Sequence, residues 1–164
     1  MPQPEPGENK PESQPTRGVV LGVDYGTVRI GVAVSDAEQR MAFPLAVYRR
    51  RGPEADTAWF RQLVREHRPV LLVVGLPVHL DGRESQKSQE ARRFGSWLAE
   101  ATGVPVVFFD ERFTTVEADQ VLRQAQLRGR RAKQRRDMLA AQAMLAAYLE
   151  SSHRGQQPPQ GLDQ

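Results

Sequence analysis

Apolar residues near the start of the chain come in three short runs, at residues 19–24, 29–35 and 42–49. Within the second run Ile30, Val32 and Val34 alternate with smaller residues, which is the period of a β-strand. Short polar turns separate the runs, and such turns join strands that are antiparallel neighbours. The pattern therefore predicts three consecutive antiparallel strands.

Further along, the pattern alternates between helix and strand. Nearly continuous apolar runs at residues 70–75 and 104–109 predict two strands that are covered on both faces. Amphipathic helices are predicted at about residues 53–66, 85–102, 114–126 and 135–151. The order βββαβαβαα indicates an α/β fold with a mixed five-stranded sheet and helices on both faces.

The ends of the chain differ in composition from its centre. Residues 1–16 and 152–164 are rich in Pro, Gln, Glu, Ser and Gly, so we expect disordered tails around one domain at residues 17–151. The sequence contains no cysteine, which excludes disulfides and thiolate zinc sites. No apolar stretch approaches the roughly 18 residues that span a bilayer. We therefore expect a cytoplasmic protein that makes no membrane contact.

Three acidic residues occupy positions from which they can converge. Asp24 ends the first predicted strand, Glu111 follows the fifth, and Asp137 opens the last helix. Two carboxylates about 4 Å apart repel by roughly 4 kcal/mol at an effective dielectric of 20, and protonation or a divalent cation relieves that cost. Oxygen ligands favour Mg²⁺ or Mn²⁺. Each acid also has a simpler interpretation: a turn residue, a solvated strand end and a helix N-cap, respectively.

Basic residues are concentrated in one stretch, at residues 120–136, which holds seven of them and no acid. Because it contains Gly129 and few apolar residues, we predict a loop or a frayed helix end there, either simply solvated or in contact with a polyanion. The candidate nucleic-acid contacts are Arg29, Arg112, Arg128, Arg130, Arg131, Lys133 and Arg135. The segment 75–77 is predicted to be a loop, and the aromatic residues are too scattered along the chain to predict a base-stacking platform.

Several motifs, in this order, resemble the YqgF family, also called RuvX, within the ribonuclease H-like superfamily. They are LGVDYGTVRIGVAVSD at 21–36, VGLP at 74–77 with LDG at 80–82, DERFTTVEA at 110–118, and Asp137 with Ala140 and Ala141. That family comprises Holliday-junction-resolvase-like and pre-16S rRNA nucleases. The resemblance implies that Asp24, Glu111 and Asp137 are the catalytic, metal-binding set. Phe113 departs conservatively from the aliphatic residue that is more usual there.

The resemblance implies a metal-dependent endonuclease that uses Mg²⁺ or Mn²⁺ in a two-metal mechanism on structured RNA or branched DNA. It leaves open whether the substrate is pre-16S rRNA or a Holliday junction, and whether the protein is a homodimer. An alternative is a non-enzymatic nucleic-acid-binding factor in ribosome maturation or transcription. Residues 23–27 also resemble a phosphate loop of actin-like ATPases and sugar kinases, but those proteins bind nucleotide between two such domains, and this chain has the length of one.

Overall fold

The secondary structure follows the predicted alternation. The computed structural model describes residues 14–77, 85–111 and 130–156. Its elements are β1 (Val20–Asp24), β2 (Arg29–Ser35), β3 (Ala42–Arg49), α1 (Pro53–His67), β4 (Leu71–Leu76), α2 (Gln86–Thr102), β5 (Val106–Asp110) and α3 (Arg130–Gln156). The helix predicted at 114–126 lies outside the described residues. No helix within the described ranges is long and apolar enough to cross a membrane.

All five strands belong to one mixed sheet in the order β3-β2-β1-β4-β5. Strands β1, β2 and β3 pair antiparallel, whereas β1, β4 and β5 run parallel to one another. The predicted fold class is confirmed. Because parallel strands end at the same edge of a sheet, the last residues of β1, β4 and β5 lie side by side there, which is where ligands bind in open α/β sheets.

Two apolar layers enclose the sheet, and successive residues of a strand contribute to opposite layers. Val20 and Val73 pack on one face with α3, through residues such as Leu145. Leu21 and Val74 pack on the other face with α1 and α2. Every residue of β4 is buried, because this strand lies inside the sheet and is covered on both faces.

Helix α3 lies unusually close to β1 and β2. A Cβ atom on Gly31 would collide with the backbone carbonyl oxygen of Asp137, and one on Gly22 would lie 2.8 Å from the Cβ of Leu145. Gly31 is also the pairing partner of Asp24 across the two strands. The glycines therefore let α3 rest on the sheet so that Asp137 is placed beside the end of β1.

Three local predictions were wrong. Helix α3 begins at Arg130, so residues 130–136 of the basic run are helical and Asp137 lies inside the helix rather than at its N-cap. Arginine, lysine, glutamine and alanine are strong helix formers, and they outweigh the repulsion among like charges. Leu76 belongs to β4 rather than to the loop predicted at 75–77, whereas Gly75 lies in the strand as the prediction of 70–75 had it.

The structure extends a few residues beyond both ends of the domain predicted at 17–151. Helix α3 continues to Gln156, beyond the boundary predicted at residue 151. At the other end, Gln39 donates side-chain hydrogen bonds to the carbonyl oxygens of Pro15 and Gly18, and the Tyr148 hydroxyl donates to the side-chain oxygen of Gln14. Residues 14 and 15 therefore contact the domain.

A buried acid joins β3 to α1. Asp56 is 1% exposed, and its carboxylate accepts hydrogen bonds from the Tyr48 hydroxyl at 2.7 Å, from the Arg51 backbone N–H at 2.9 Å and from Arg50 Nε at 3.2 Å. Burial raises the pKa of Asp56, but these donors and the charge of Arg50 outweigh it and hold the pKa below its ordinary value. The ionised carboxylate thus stabilises the fold.

We expect Asp56→Asn to lower the free energy of unfolding at neutral pH by about 2 kcal/mol, because charge-assisted hydrogen bonds are weakened at nearly constant shape. The lowered pKa means that the unfolded chain binds more protons in acid, so this contribution is lost as the pH falls below about 4. Urea unfolding at neutral and acidic pH measures both effects. Glu54→Gln, on the exposed face of the same helix, is the control. Equal stability of Asp56→Asn and wild type at neutral pH would contradict this role.

Candidate active site

The first two predicted acids meet at the sheet edge where β1, β4 and β5 end. Asp24 is the last residue of β1, and Glu111 directly follows β5. Strand β4 lies between them, and a Cβ atom on its Gly75 would be 2.6 Å from Glu111 Oε1. The absence of a side chain at Gly75 therefore gives the Glu111 carboxylate room to reach across β4 to Asp24.

Asp24 and Glu111 form a hydrogen-bonded pair of acids. Burial, followed by the charge of Glu111 and the hydrogen bond to it, raises the pKa of Asp24 to about 8. Burial also raises the pKa of Glu111, while the hydrogen bond from Asp24 and the charge of Lys87 partly oppose that rise. With a pKa of about 8, Asp24 holds the proton of this hydrogen bond at neutral pH, and Glu111 accepts it.

The third acid, Asp137, lines a cavity together with Asp24, but its hydrogen-bond partner is Arg29. Asp137 Oδ2 accepts a hydrogen bond from Arg29 Nε at 2.9 Å, and the two side chains are 34% and 35% exposed. Its charge also contributes to the raised pKa of Asp24. The cavity has a volume of about 340 Å³ and is lined by Asp24, Tyr25, Gly26, Thr27, Val28, Arg29, Gly31, Lys87 and Asp137.

Lys87 belongs to this site, although its sequence position had not identified it. It lies in the first turn of α2, where its charge lowers the pKa values of both Asp24 and Glu111. A cation near a helix N-terminus opposes the helix dipole. Helix α2 has no acidic residue in its first turn to compensate. This unfavourable placement is the sequence signal that could have indicated an anionic site nearby.

The structure describes only some of the residues that were predicted to contact nucleic acid. Lys133 and Arg135 are exposed on α3. Arg112 and Arg128 lie outside the described residues, as do the side chains of Arg130 and Arg131. Arg29, also predicted to contact nucleic acid, forms an ion pair with Asp137 within the site.

The donor chemistry of the site suits a hard divalent cation. Two partly buried carboxylates that share a proton offer oxygen ligands, and a cation would relieve their repulsion better than one proton does. Across residues 14–77, 85–111 and 130–156, however, no three His, Cys, Asp or Glu side chains are gathered closely enough to hold a metal ion. Asp24 and Glu111 are paired, while Asp137 is held by Arg29. Binding through all three acids would therefore require Asp137 to leave Arg29.

Comparisons with known proteins identify the family of this chain. The family model described as RuvX, Holliday junction resolvase, matches residues 18–151. A protein of Rhodopirellula baltica with the provisional name pre-16S rRNA nuclease is 48% identical over 137 residues, which cover 84% of this chain and 79% of the relative. A protein of Nitrosospira multiformis with the same provisional name is 41% identical over 143 residues, covering 87% and 95%.

Two solved structures share the fold. T. thermophilus RuvC in complex with a Holliday junction substrate has a TM-score of 0.56 at 17% identity, covering 84% of this chain and 96% of that one. The yeast mitochondrial Holliday junction resolvase Ydc2 has a TM-score of 0.54 at 13% identity, covering 85% and 80%. At these identities the likeness concerns the fold alone.

In the presence of a metal chelator, we expect the Asp24→Asn variant to be more stable to thermal unfolding than the wild-type protein at neutral pH. A pKa raised to about 8 means that the folded wild type binds more protons than the unfolded chain between the ordinary value of 3.8 and 8, so wild-type stability falls as the pH rises through that window. Asparagine does not titrate, so the variant does not lose stability in this way as the pH rises. Melting temperatures across the window should therefore diverge towards alkaline pH, and parallel profiles would contradict the raised pKa.

Asp36→Asn provides the contrasting control for this experiment. Hydrogen bonds from the backbone N–H groups of Met41 and Arg40 lower the pKa of Asp36. Its replacement should therefore reduce stability at neutral pH rather than increase it.

Proposed function

We propose that this chain, which belongs to the RuvX family, is a nuclease that hydrolyses phosphodiester bonds in structured nucleic acid with the aid of a divalent cation. The main support is the partly buried, hydrogen-bonded Asp24–Glu111 pair beside Asp137 at an open sheet edge. Repulsion between two adjacent acids destabilises the fold and would have no benefit in a purely structural site. Carboxylates with strongly shifted pKa values are typical of functional sites. The non-enzymatic alternative is not favoured for the same reason.

Asp24 and Glu111, with Asp137, would hold Mg²⁺ or Mn²⁺. When bound, such an ion supplies charge neutralisation and an acidified water molecule. The side chains have separate tasks around it. Asp24 must give up its proton to act as a ligand, and Lys87 favours that ionised form. Lys87 can also hold a phosphate oxygen in the cavity. The two-metal mechanism implied by the family resemblance stays a prediction.

Helix α3 can carry phosphate contacts as well as a catalytic acid. Lys133 lies four residues before Asp137, and residues four apart lie on the same face of a helix. Lys133 and Arg135 are both exposed. We therefore infer that the basic first turns of α3 extend the catalytic cavity into a phosphate-binding surface, and that Arg29 serves to position Asp137.

We propose pre-16S rRNA as the first substrate to test. Relatives at 41% and 48% identity carry that name, whereas the structures solved with or named for Holliday junctions are 13% and 17% identical. Phosphate contacts alone do not distinguish the two substrates. A cytoplasmic location and a homodimeric state remain predictions.

Removal of the proposed catalytic acids should abolish cleavage and spare the fold. Changes to residues that only support metal ligands typically reduce activity by roughly 10- to 100-fold. We expect Asp24→Asn, Glu111→Gln and Asp137→Asn each to reduce the cleavage rate by more than that. Cleavage of end-labelled pre-16S rRNA and of a four-way DNA junction should be compared in Mn²⁺, Mg²⁺, Ca²⁺ and chelator, with circular dichroism as the check on folding. Calcium should support little activity because its coordination is longer and looser.

Asp110→Asn is the matched control, because Asp110 precedes Glu111 at the end of β5 and is not among the proposed ligands. It should retain most activity. Wild-type cleavage by Glu111→Gln, or undiminished cleavage in chelator, would exclude the proposed site.

The α3 surface can be tested through the salt dependence of binding. Each phosphate contact on duplex DNA contributes about 0.9 to the slope of log affinity against log salt, so the double variant Lys133→Gln/Arg135→Gln should flatten that slope by about 1.8. Fluorescence anisotropy in chelator measures it without cleavage. Arg61→Gln/Arg65→Gln removes the same charge from exposed positions on α1, across the sheet, and should leave the slope closer to that of the wild type. An unchanged slope in the first variant would exclude these contacts.

A further inference from the structure

A second cavity lies beside the catalytic one. It has a volume of about 360 Å³, within the range of small-molecule sites. We call it the aromatic cavity; it is lined by Tyr25, Arg50, Pro53, Asp56, Glu90, Arg93, Phe94 and Trp97. Although the aromatic residues are scattered along the chain, folding brings Tyr25, directly after β1, together with Phe94 and Trp97 of α2.

Three rings form the apolar part of this cavity. The Phe94 ring centroid lies 5.0 Å from that of Tyr25 and 5.6 Å from that of Trp97. Phe94 is 5% exposed and belongs to the core, whereas Tyr25 and Trp97 are half-buried and keep part of their surface accessible. Two accessible rings backed by a buried one suit a flat, aromatic ligand.

The charged groups of the cavity are arranged asymmetrically. The Arg50 guanidinium lies 5.7 Å from the Tyr25 ring centroid and 5.6 Å from that of Phe94, and its ion pair with Asp56 holds it there. Arg93 is exposed at the rim, one helical turn from Glu90. Arg93 can therefore bind a phosphate, while the Glu90 carboxylate can accept hydrogen bonds from the N–H groups of a base.

Tyr25 connects the aromatic cavity to the catalytic one. It lines both cavities and directly follows Asp24 in the chain. Neighbouring nucleotides of a stacked strand are about 3.4 Å apart along the helix axis, and unstacked ones can spread further. A strand with its scissile phosphate at Asp24 could thus place an adjoining nucleotide in the aromatic cavity.

We propose that the aromatic cavity binds one unpaired nucleotide next to the scissile phosphate, with its base against Tyr25 and Trp97 and a phosphate at Arg93. This inference rests on the proposed nuclease function and deepens it. A base that is paired within a continuous duplex cannot enter, so the cavity selects substrates with a bulge, loop or branch at the cleavage position.

The test uses the full-length protein in chelator, so that binding is measured without cleavage. One probe is a duplex RNA with a single bulged adenosine, and the other is the same duplex with an abasic residue in the bulge. We expect the wild type to bind the bulged adenosine at least fivefold more tightly, because stacking on an aromatic side chain has about that effect or more. Trp97→Leu should abolish this preference, and tryptophan fluorescence that the adenosine probe quenches in the wild type should not respond in that variant.

A second test compares Arg93→Gln with Arg92→Gln, two substitutions of exposed residues that leave the hydrophobic core unchanged. Both residues are exposed neighbours on α2, but the Arg92 guanidinium lies 5.4 Å from the Phe108 ring centroid, and Arg92 does not line the aromatic cavity. Arg93→Gln should weaken binding of the bulged probe several-fold more than Arg92→Gln, although both remove one positive charge.

The outcomes separate this inference from the proposed function. Equal wild-type affinity for the two probes, or equal effects of Arg93→Gln and Arg92→Gln, would overturn the nucleotide site, and metal-dependent cleavage would then show that the nuclease proposal still stands. Failure to bind either probe, together with no cleavage in Mn²⁺ or Mg²⁺, would overturn the proposed function and the nucleotide site with it.

Discussion

The close contact of α3 with β1 and β2 is the feature on which both the core and the candidate site depend. It exists because Gly22 and Gly31 have no side chains, which allows the helix backbone to approach the sheet. The same approach buries Leu145 and brings Asp137 within electrostatic range of Asp24. A helix held farther away by ordinary side chains would lose core packing and separate the third acid from the first. Stability and chemistry therefore share one contact.

Two acids, the buried Asp56 and the partly buried Asp24, show how the surroundings decide what a carboxylate does. Asp56 is surrounded by donors, so its pKa is lowered and its charge stabilises the junction of β3 and α1. At Asp24, burial, followed by the charge of Glu111 and the hydrogen bond to it, raises the pKa to about 8. The donors around Asp56 compensate its burial, whereas at Asp24 the charge of Lys87 only partly offsets burial and the neighbouring acids. This uncompensated negative charge at the edge of the sheet is the basis of the cation site proposed above.

The sequence was sufficient where local pattern determines structure. The succession of strands and helices followed from period and turn chemistry, and Asp24 and Glu111 could be placed at one edge because each lies at the end of a predicted strand. It was insufficient where distant segments meet. The pairing of Arg29 with Asp137 joins residues 108 positions apart, and the aromatic cavity joins Tyr25 to rings on α2. The N-cap interpretation of Asp137 failed because the helix propensity of the preceding basic residues was underestimated.

The ion pair between Arg29 and Asp137 is a weak constraint on the site. Both side chains are about one-third exposed, and pairs of this kind contribute about 0–1 kcal/mol. That energy is enough to orient the Asp137 carboxylate towards the cavity, but it is small compared with the electrostatic gain from placing a divalent cation among three acids. Asp24 and Glu111, in contrast, are held by burial and by the shape of the strand ends. The site therefore combines two acids fixed by the sheet with a third that can exchange partners, which suits a centre that must bind both a cation and a phosphate.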